Sequence, residues 1–111
     1  MPVTIHAQQG TVTAVLSGEI DHHGARAMLT TLEEAVSTLL PKHLTLDLSG
    51  ITFMDSSGIG LVMGRYRLMR ELGGELRVTG VPSHIKKVMR LSGLDKLAVL
   101  EPDSIPKETR K

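Results

Sequence analysis

The first forty residues change from strand-like alternation to a helical spacing. Residues 3–7 and 11–17 flank the turn-like sequence QQG, and apolar side chains alternate with polar ones in the second stretch. This pattern predicts a β-hairpin. A helix is expected to follow Asp21 or His22 and to stop before Pro41. A spacing of three and four residues relates its apolar positions, which are Met28, Leu32, Ala35, Val36 and Leu39.

A second strand and a second helix are predicted next. Leucine alternates with polar residues in HLTLDLSG, and GITFM continues the strand to a loop that contains two serines. The helix predicted for residues 57–72 ends at Gly73 and Gly74. Its buried face is expected to comprise Leu61, Val62, Leu68, Met69 and Leu72. Its solvent-facing side is expected to carry Arg65, Arg67 and Arg70.

The remaining pattern predicts a strand, a helix and a short strand. ELRVTG alternates as a strand does, Ser83 is expected to cap the helix HIKKVMRLSG, and LAVL is predicted to be the last strand. The order β-β-α-β-α-β-α-β predicts an α/β fold with a mixed, mostly parallel sheet against which the helices pack. We expect a single domain over residues 1–101 and a polar, flexible tail over residues 102–111.

The composition restricts the kinds of function that the chain can have. A chain of 111 residues, 41% hydrophobic and 23% charged, is typical of one globular domain. It has no cysteine, which excludes disulfides and thiolate metal sites. A net charge of +1 and two aromatic residues give no indication of nucleic-acid binding. Without a signal-peptide pattern or an apolar run of about 20 residues, the sequence favours a cytoplasmic protein that contacts no membrane.

The loop FMDSSGIG, residues 53–60, is the candidate site. The pattern G-x-S-x-G of a nucleophilic serine is absent, and no histidine spacing indicates a base. A phosphate-binding loop is also disfavoured, because no lysine or arginine occurs between Lys42 and Arg65. Asp55 is a preferred residue for capping a helix, and capping alone would account for it.

Three glycines argue that the start of this helix does more than begin a helix. A glycine in a helix interior costs about 1 kcal/mol relative to alanine. Either another backbone approaches this helix closely, or its start has to stay adjustable. The glycines are Gly58, Gly60 and Gly64.

Five segments of the chain together resemble a known family. GEIDHH, LDLSGITFMDSSGIG, GRY, GGELRV and RLSGL stand in the order that is found in the STAS-domain anti-anti-sigma factors. The likeness runs from about residue 3 to about residue 100. The DHH sequence is more similar to the sporulation branch, the anti-sigma-F factor antagonists, than to the stress-response branch. Family members usually end in a fourth helix, for which the tail after Leu100 is too polar and too rich in proline.

The resemblance implies a regulator that is not an enzyme and that holds no metal or cofactor. Its phospho-acceptor would be Ser56, the first hydroxyl residue after the acid. Unphosphorylated, it would bind an anti-sigma factor that is also an ATP-dependent serine kinase, and so release the sigma factor. Phosphorylation would end this binding until a PP2C-type phosphatase removed the phosphate. The alternatives are a stress-response antagonist with a different kinase and a small hydrolase that uses Ser56 or Ser57.

The resemblance also implies a partner surface around the serines. The family binds its partner through acids that precede the first helix, which here are Glu19 and Asp21. Asp55 either caps its helix alone or also pairs with a basic group on the kinase, and Ser57 is interpreted as a hydroxyl at the helix start. The predicted partner-binding set is Glu19, Asp21, Asp55, Ser57 and Gly58.

Overall fold

The computed structural model describes residues 2–94 of the chain. The predicted strand LAVL, the tail and the question of a fourth helix lie outside these residues. The described elements follow the predicted order, with strands β1 (Val3–Gln8), β2 (Thr11–Ile20), β3 (His43–Met54) and β4 (Glu75–Thr79), and helices α1 (His22–Leu39), α2 (Ser56–Glu71) and α3 (Ser83–Ser92).

The four strands form one mixed sheet in the order β1-β2-β3-β4. β1 runs antiparallel to β2, with Val3 opposite Leu16, and this confirms the hairpin. Gln9 and Gly10 make its turn at φ angles of 44° and 84°, and two left-handed residues suit the twist of paired strands. The pairs β2–β3 and β3–β4 are both parallel. The predicted α/β fold with a mostly parallel sheet is therefore confirmed.

Helices α1 and α2 cover the same face of this sheet. α1 packs on β1 and β2, α2 packs on β3 and β4, and the two helices contact each other. In β2 the residues Val12, Ala14 and Leu16 are fully buried, whereas Thr13 and Val15 between them are half-buried. A buried leucine or valine contributes about 1.5–3 kcal/mol, so this layer holds the helices firmly on the strands.

Two predictions for α2 are wrong, and both concern which side of the helix is buried. Arg65 was predicted to face solvent, but only 9% of it is exposed, because it faces the groove between α1 and α2. Leu72 is 54% exposed, because α2 ends at Glu71 and Leu72 follows as its C-cap. Arg67 and Arg70 are exposed, as predicted.

The prediction that Ser83 caps α3 is also wrong. Pro82 is the N-cap, and its carbonyl accepts hydrogen bonds from the amides of Ile85 and Lys86 at 3.0 and 2.8 Å. Proline already holds its φ near the value that a helix start requires, so Ser83 becomes the first helical residue. α1, in contrast, ends at Leu39, before Pro41, as predicted.

Gly58 shows why one glycine is needed at the start of α2. A Cβ atom there would overlap the Cγ of Met54 and lie 3.0 Å from the Cγ2 of Ile20. The first turn of α2 therefore lies directly on the ends of β2 and β3. At Gly60 and Gly64 an added Cβ would meet no atom within 4 Å, so close approach within the fold explains Gly58 alone.

We predict that Gly58→Ala and Gly60→Ala change stability in opposite directions. Gly58→Ala should lower the free energy of unfolding by about 1–2 kcal/mol, because the methyl group overpacks the contact with Met54. Gly60→Ala is the matched control on the same helix and should raise it by up to about 1 kcal/mol. Urea denaturation of both variants measures the two values. Equal stabilisation by both would show that α2 does not lie this close to the strands.

Candidate functional site

The carboxyl ends of β2 and β3 bring the starts of two helices together. The register pairs Glu19 with Phe53 and Ile20 with Met54. At the end of the pairing, the amide of Asp55 donates a hydrogen bond to the carbonyl of Ile20 at 3.3 Å. α1 and α2 begin immediately beyond this point, so the acids and serines of the two connections share one edge of the sheet, where α/β proteins build their sites.

Each helix is capped by an aspartate. Asp21 accepts a hydrogen bond from the amide of Gly24 through Oδ1, and Asp55 accepts one from the amide of Ser57 through Oδ1, both at 2.8 Å. Both aspartates are half-buried. A side-chain cap of this kind contributes about 1 kcal/mol, which confirms the predicted capping role of Asp55.

Ser56 and Ser57 occupy different environments although they are neighbours. Ser56 is the first residue of α2 and is exposed, and its hydroxyl makes no hydrogen bond within residues 2–94. Ser57 is half-buried and lines a cavity between α1 and α2. Of the two hydroxyls, that of Ser56 is therefore the more accessible to another protein.

Phe53 is exposed beside the serines, and the sequence pattern did not single it out as a surface residue. Simple strand alternation would place its side chain on the same face of the sheet as that of the buried Ile51, yet 46% of the Phe53 surface is exposed. The register between β2 and β3 shifts between Val15 and Ser17 and again between Gly18 and Glu19. Such irregularities re-aim side chains at the end of a sheet, and simple alternation gives no signal for them.

The other predicted partner residues divide into exposed and buried groups. Glu19 is exposed, and its carboxylate forms no ion pair or hydrogen bond in the described part of the chain. Gly58 is buried against Met54 and Ile20, so its observed contacts are internal.

His22 and His23 are exposed, with ring centroids 5.8 Å apart in an edge-on arrangement.

The beginning of α3 is connected to the same edge. The Nε2 of His84 lies 2.9 Å from the carbonyl oxygen of Thr52, one residue before Phe53. Thr52 in turn donates its hydroxyl to the Gly18 carbonyl at 3.3 Å. These two contacts link α3, β3 and β2 close to the exposed aromatic ring.

Residues 2–94 contain neither a three-residue metal-binding group nor a hydrogen bond between a histidine and Ser56 or Ser57. In residues 2–94 no group of three histidine, aspartate or glutamate side chains is placed to hold a metal ion. His22 lines the same cavity as Ser57, but no histidine in this part of the chain hydrogen-bonds to either serine.

No helix in the described range combines the length and the hydropathy needed to cross a membrane.

A groove between α1 and α2 lies next to the site, and we call it the α1–α2 groove. Its upper cavity, about 190 Å³, is lined by residues that include Arg26, Ser57 and Arg65. Its lower cavity, about 440 Å³, is also lined by Arg65 and by the apolar residues Val36, Leu40, Leu68 and Leu72. Arg65 thus lies between a smaller cavity beside the serines and a larger apolar one.

Comparison with known proteins relates the chain to one family and to its anti-sigma factor antagonists. Residues 3–101 match the family model described as Mlab, STAS domain. The anti-sigma F factor antagonist of Paenibacillus polymyxa is 34% identical over 97 residues, which cover 87% of this chain and 83% of that protein.

Two solved structures of SpoIIAA share the fold. The anti-sigma factor antagonist SpoIIAA in its unphosphorylated form is 25% identical, with a TM-score of 0.77, and the match covers 97% of this chain and 96% of that one. The Bacillus cell fate determinant SpoIIAA in its phosphorylated form is 27% identical, with a TM-score of 0.71, over 89% and 88% of the two chains.

The capping geometry predicts different outcomes for two substitutions of Asp55. Asp55→Ala removes the acceptor for the Ser57 amide and should destabilise the fold by about 1 kcal/mol. Asp55→Asn keeps a side-chain oxygen at a cap position where asparagine is equally preferred, so its free energy of unfolding should stay within a few tenths of a kcal/mol. Urea denaturation tests both variants. If asparagine costs as much as alanine, the negative charge and not the hydrogen bond stabilises α2.

Proposed function

The chain belongs to the STAS domain family and is similar to anti-sigma factor antagonists, and on that premise we propose that phosphorylation of Ser56 switches its activity. The unphosphorylated chain binds an anti-sigma factor that is also a serine kinase, and so frees a sigma factor. The kinase uses ATP to phosphorylate Ser56, which ends the binding. A PP2C-type phosphatase restores the active form. The chain itself acts by binding, in the cytoplasm, and not as an enzyme.

The observation that carries this proposal is the position of Ser56. It is exposed at the first position of α2, directly after a capping carboxylate, and its hydroxyl has no hydrogen-bond partner in residues 2–94. A kinase can therefore reach the oxygen without breaking a contact of the fold. The likeness to SpoIIAA, a protein with a phosphorylated form, supports regulation by phosphorylation.

Phosphorylation at this position is compatible with an intact fold. A phosphoserine carries about −1.5 to −2 charges at neutral pH, which would change the formal net charge from +1 to about −1. A negative group at a helix N-terminus interacts favourably with the helix dipole, by up to about 1 kcal/mol. The effect of the phosphate must therefore fall on the partner and not on the domain.

Repulsion inside the kinase site would be large enough to release the chain. The Ser56 oxygen must reach the γ-phosphate of ATP, so the transferred phosphate lies beside the remaining phosphates of the nucleotide. Two unit charges 4 Å apart repel by about 4 kcal/mol at an effective dielectric constant of 20. That energy corresponds to roughly a thousandfold loss of affinity.

The partner surface that we propose combines charge with one apolar contact. Glu19 supplies an unpaired exposed carboxylate. Asp21 and Asp55 add two carboxylates that each cap a helix through Oδ1 and keep Oδ2 for a partner. Phe53 supplies an exposed aromatic ring at the same edge, and aromatic residues often dominate the energy of protein interfaces. Ser57 is half-buried and Gly58 is buried, so both lie beneath the exposed side chains of this surface.

We expect the kinase to modify one residue. Incubation of the chain with the cognate kinase and ATP, followed by mass spectrometry of peptides, should place a single phosphate on Ser56. Ser56→Ala should abolish it, and Ser57→Ala is the matched control that should still accept it. A phosphate on Ser57 in the wild-type chain would refute the choice of acceptor, and turnover of a model ester that depends on Ser56 would favour a hydrolase.

Ser56→Asp should weaken binding of the kinase while the fold stays intact. An aspartate introduces a negative charge at the position of the phosphate, and we expect at least a tenfold higher Kd with a melting temperature within a few degrees of the wild type. Thr30→Asp places the same charge at an exposed position in the middle of α1 and serves as the control, which should leave the Kd unchanged. Calorimetric titration and thermal unfolding measure both effects. Unfolding of Ser56→Asp, or an unchanged Kd, would contradict the switch.

A further inference from the structure

The α1–α2 groove contains a positive charge whose hydrogen-bonding capacity is not used. Arg65 is 9% exposed, and its Nε and Nη1 atoms are buried without a hydrogen-bond partner among the described residues. A guanidinium has five N–H donors and no acceptor. Burying such donors unpaired is costly unless an acceptor is supplied. Because Arg65 lines both cavities of the groove, an acidic or carbonyl group bound there would offset part of this cost.

The surroundings of Arg65 do not supply this acceptor. Glu33 also lines the lower cavity, but it is exposed and forms no ion pair with Arg65 within residues 2–94. The upper cavity adds a second cation, Arg26, and no carboxylate. An anion placed between the two arginines would meet two positive charges at once.

The lower cavity extends from Arg65 along apolar side chains. Leu40 and Leu72 line it while 71% and 54% of their surfaces remain exposed to water. Val36 and Leu68 form its walls from the two helices. A volume of about 440 Å³ is within the range of small-molecule sites, which are mainly apolar and have a few polar groups that fix the orientation of the ligand.

We propose that the α1–α2 groove is a binding site for a small amphiphilic carboxylate. Its carboxylate accepts hydrogen bonds from the guanidinium of Arg65 and faces Arg26, and its alkyl chain covers Leu40, Leu68 and Leu72. A charge-assisted hydrogen bond between a guanidinium and a carboxylate is roughly twice as strong as a neutral one. The proposal concerns the side chains of the groove and does not depend on phosphorylation of Ser56.

A series of carboxylates of increasing length tests the site on the full chain. Sodium octanoate, decanoate and dodecanoate, each below its micelle concentration, are titrated and followed by calorimetry. The affinity should rise by up to about fourfold for each added methylene, because each is buried in the lower cavity. Decanol, which has the same chain without the charge, should bind at least tenfold more weakly than decanoate.

Substitution of Arg65 separates the proposed site from nonspecific binding. Arg65→Met should remove the preference for decanoate over decanol, whereas Arg67→Met, an exposed position on the same helix, should keep it. Without ligand, Arg65→Met should raise the melting temperature by a few degrees, because an unpaired buried charge is replaced by an apolar side chain of similar length.

A second pair of variants keeps the test decisive if Arg65→Met does not fold. Leu72→Glu changes an exposed residue that lines the lower cavity and should weaken decanoate binding at least tenfold through charge repulsion. Leu91→Glu, at a leucine on α3 that is 84% exposed, should leave it unchanged. The proposal is overturned if the full chain does not bind decanoate, if decanol binds equally well, or if Leu72→Glu has no effect.

Discussion

Parallel pairing between β2 and β3 fixes the position of nearly every group at the site. The two strands end in register at Ile20 and Met54, and the amide of Asp55 continues the pairing by one hydrogen bond to the Ile20 carbonyl. Gly58 then allows the first turn of α2 to rest on the same two side chains. The Ser56 hydroxyl is presented from a rigid base because the strands beneath it belong to the core.

The sequence was sufficient for the elements that depend on periodic burial and on capping chemistry. Alternating leucines predicted β3, and the aspartate before the serines predicted the start of α2 to within one residue. Three features depended on tertiary contacts and could not be read from the sequence. Arg65 is buried because α1 lies against its side of α2, Phe53 is exposed because the sheet register shifts, and Ser83 is displaced from the cap because Pro82 takes that place.

The site combines an exposed serine hydroxyl with two capping carboxylates. In the described part of the chain the serines have no hydrogen-bonded base, and the two capping aspartates already use one oxygen each to hold a helix. The dipole of α2 favours a negative group at its start, so the domain itself tolerates the phosphate that we propose. Under the proposed switch the partner would have no such compensation, so the modification would act at the interface. The α1–α2 groove differs chemically from this site, since the charged groups that line its upper cavity are the arginines Arg26 and Arg65.

The two helix starts share one sequence order, since DHHG and DSSG each place a capping aspartate, two residues and a glycine in succession. The caps differ in detail, because Asp21 accepts from the amide three residues on and Asp55 from the amide two residues on. His22 consequently occupies in α1 the place that Ser56 occupies in α2. An enzyme that recognised nothing but a strand end followed by a capped helix would find two similar targets on this domain. The imidazole of His22 offers no alcohol to esterify, so under the proposed switch the side chain alone would distinguish the two helix starts.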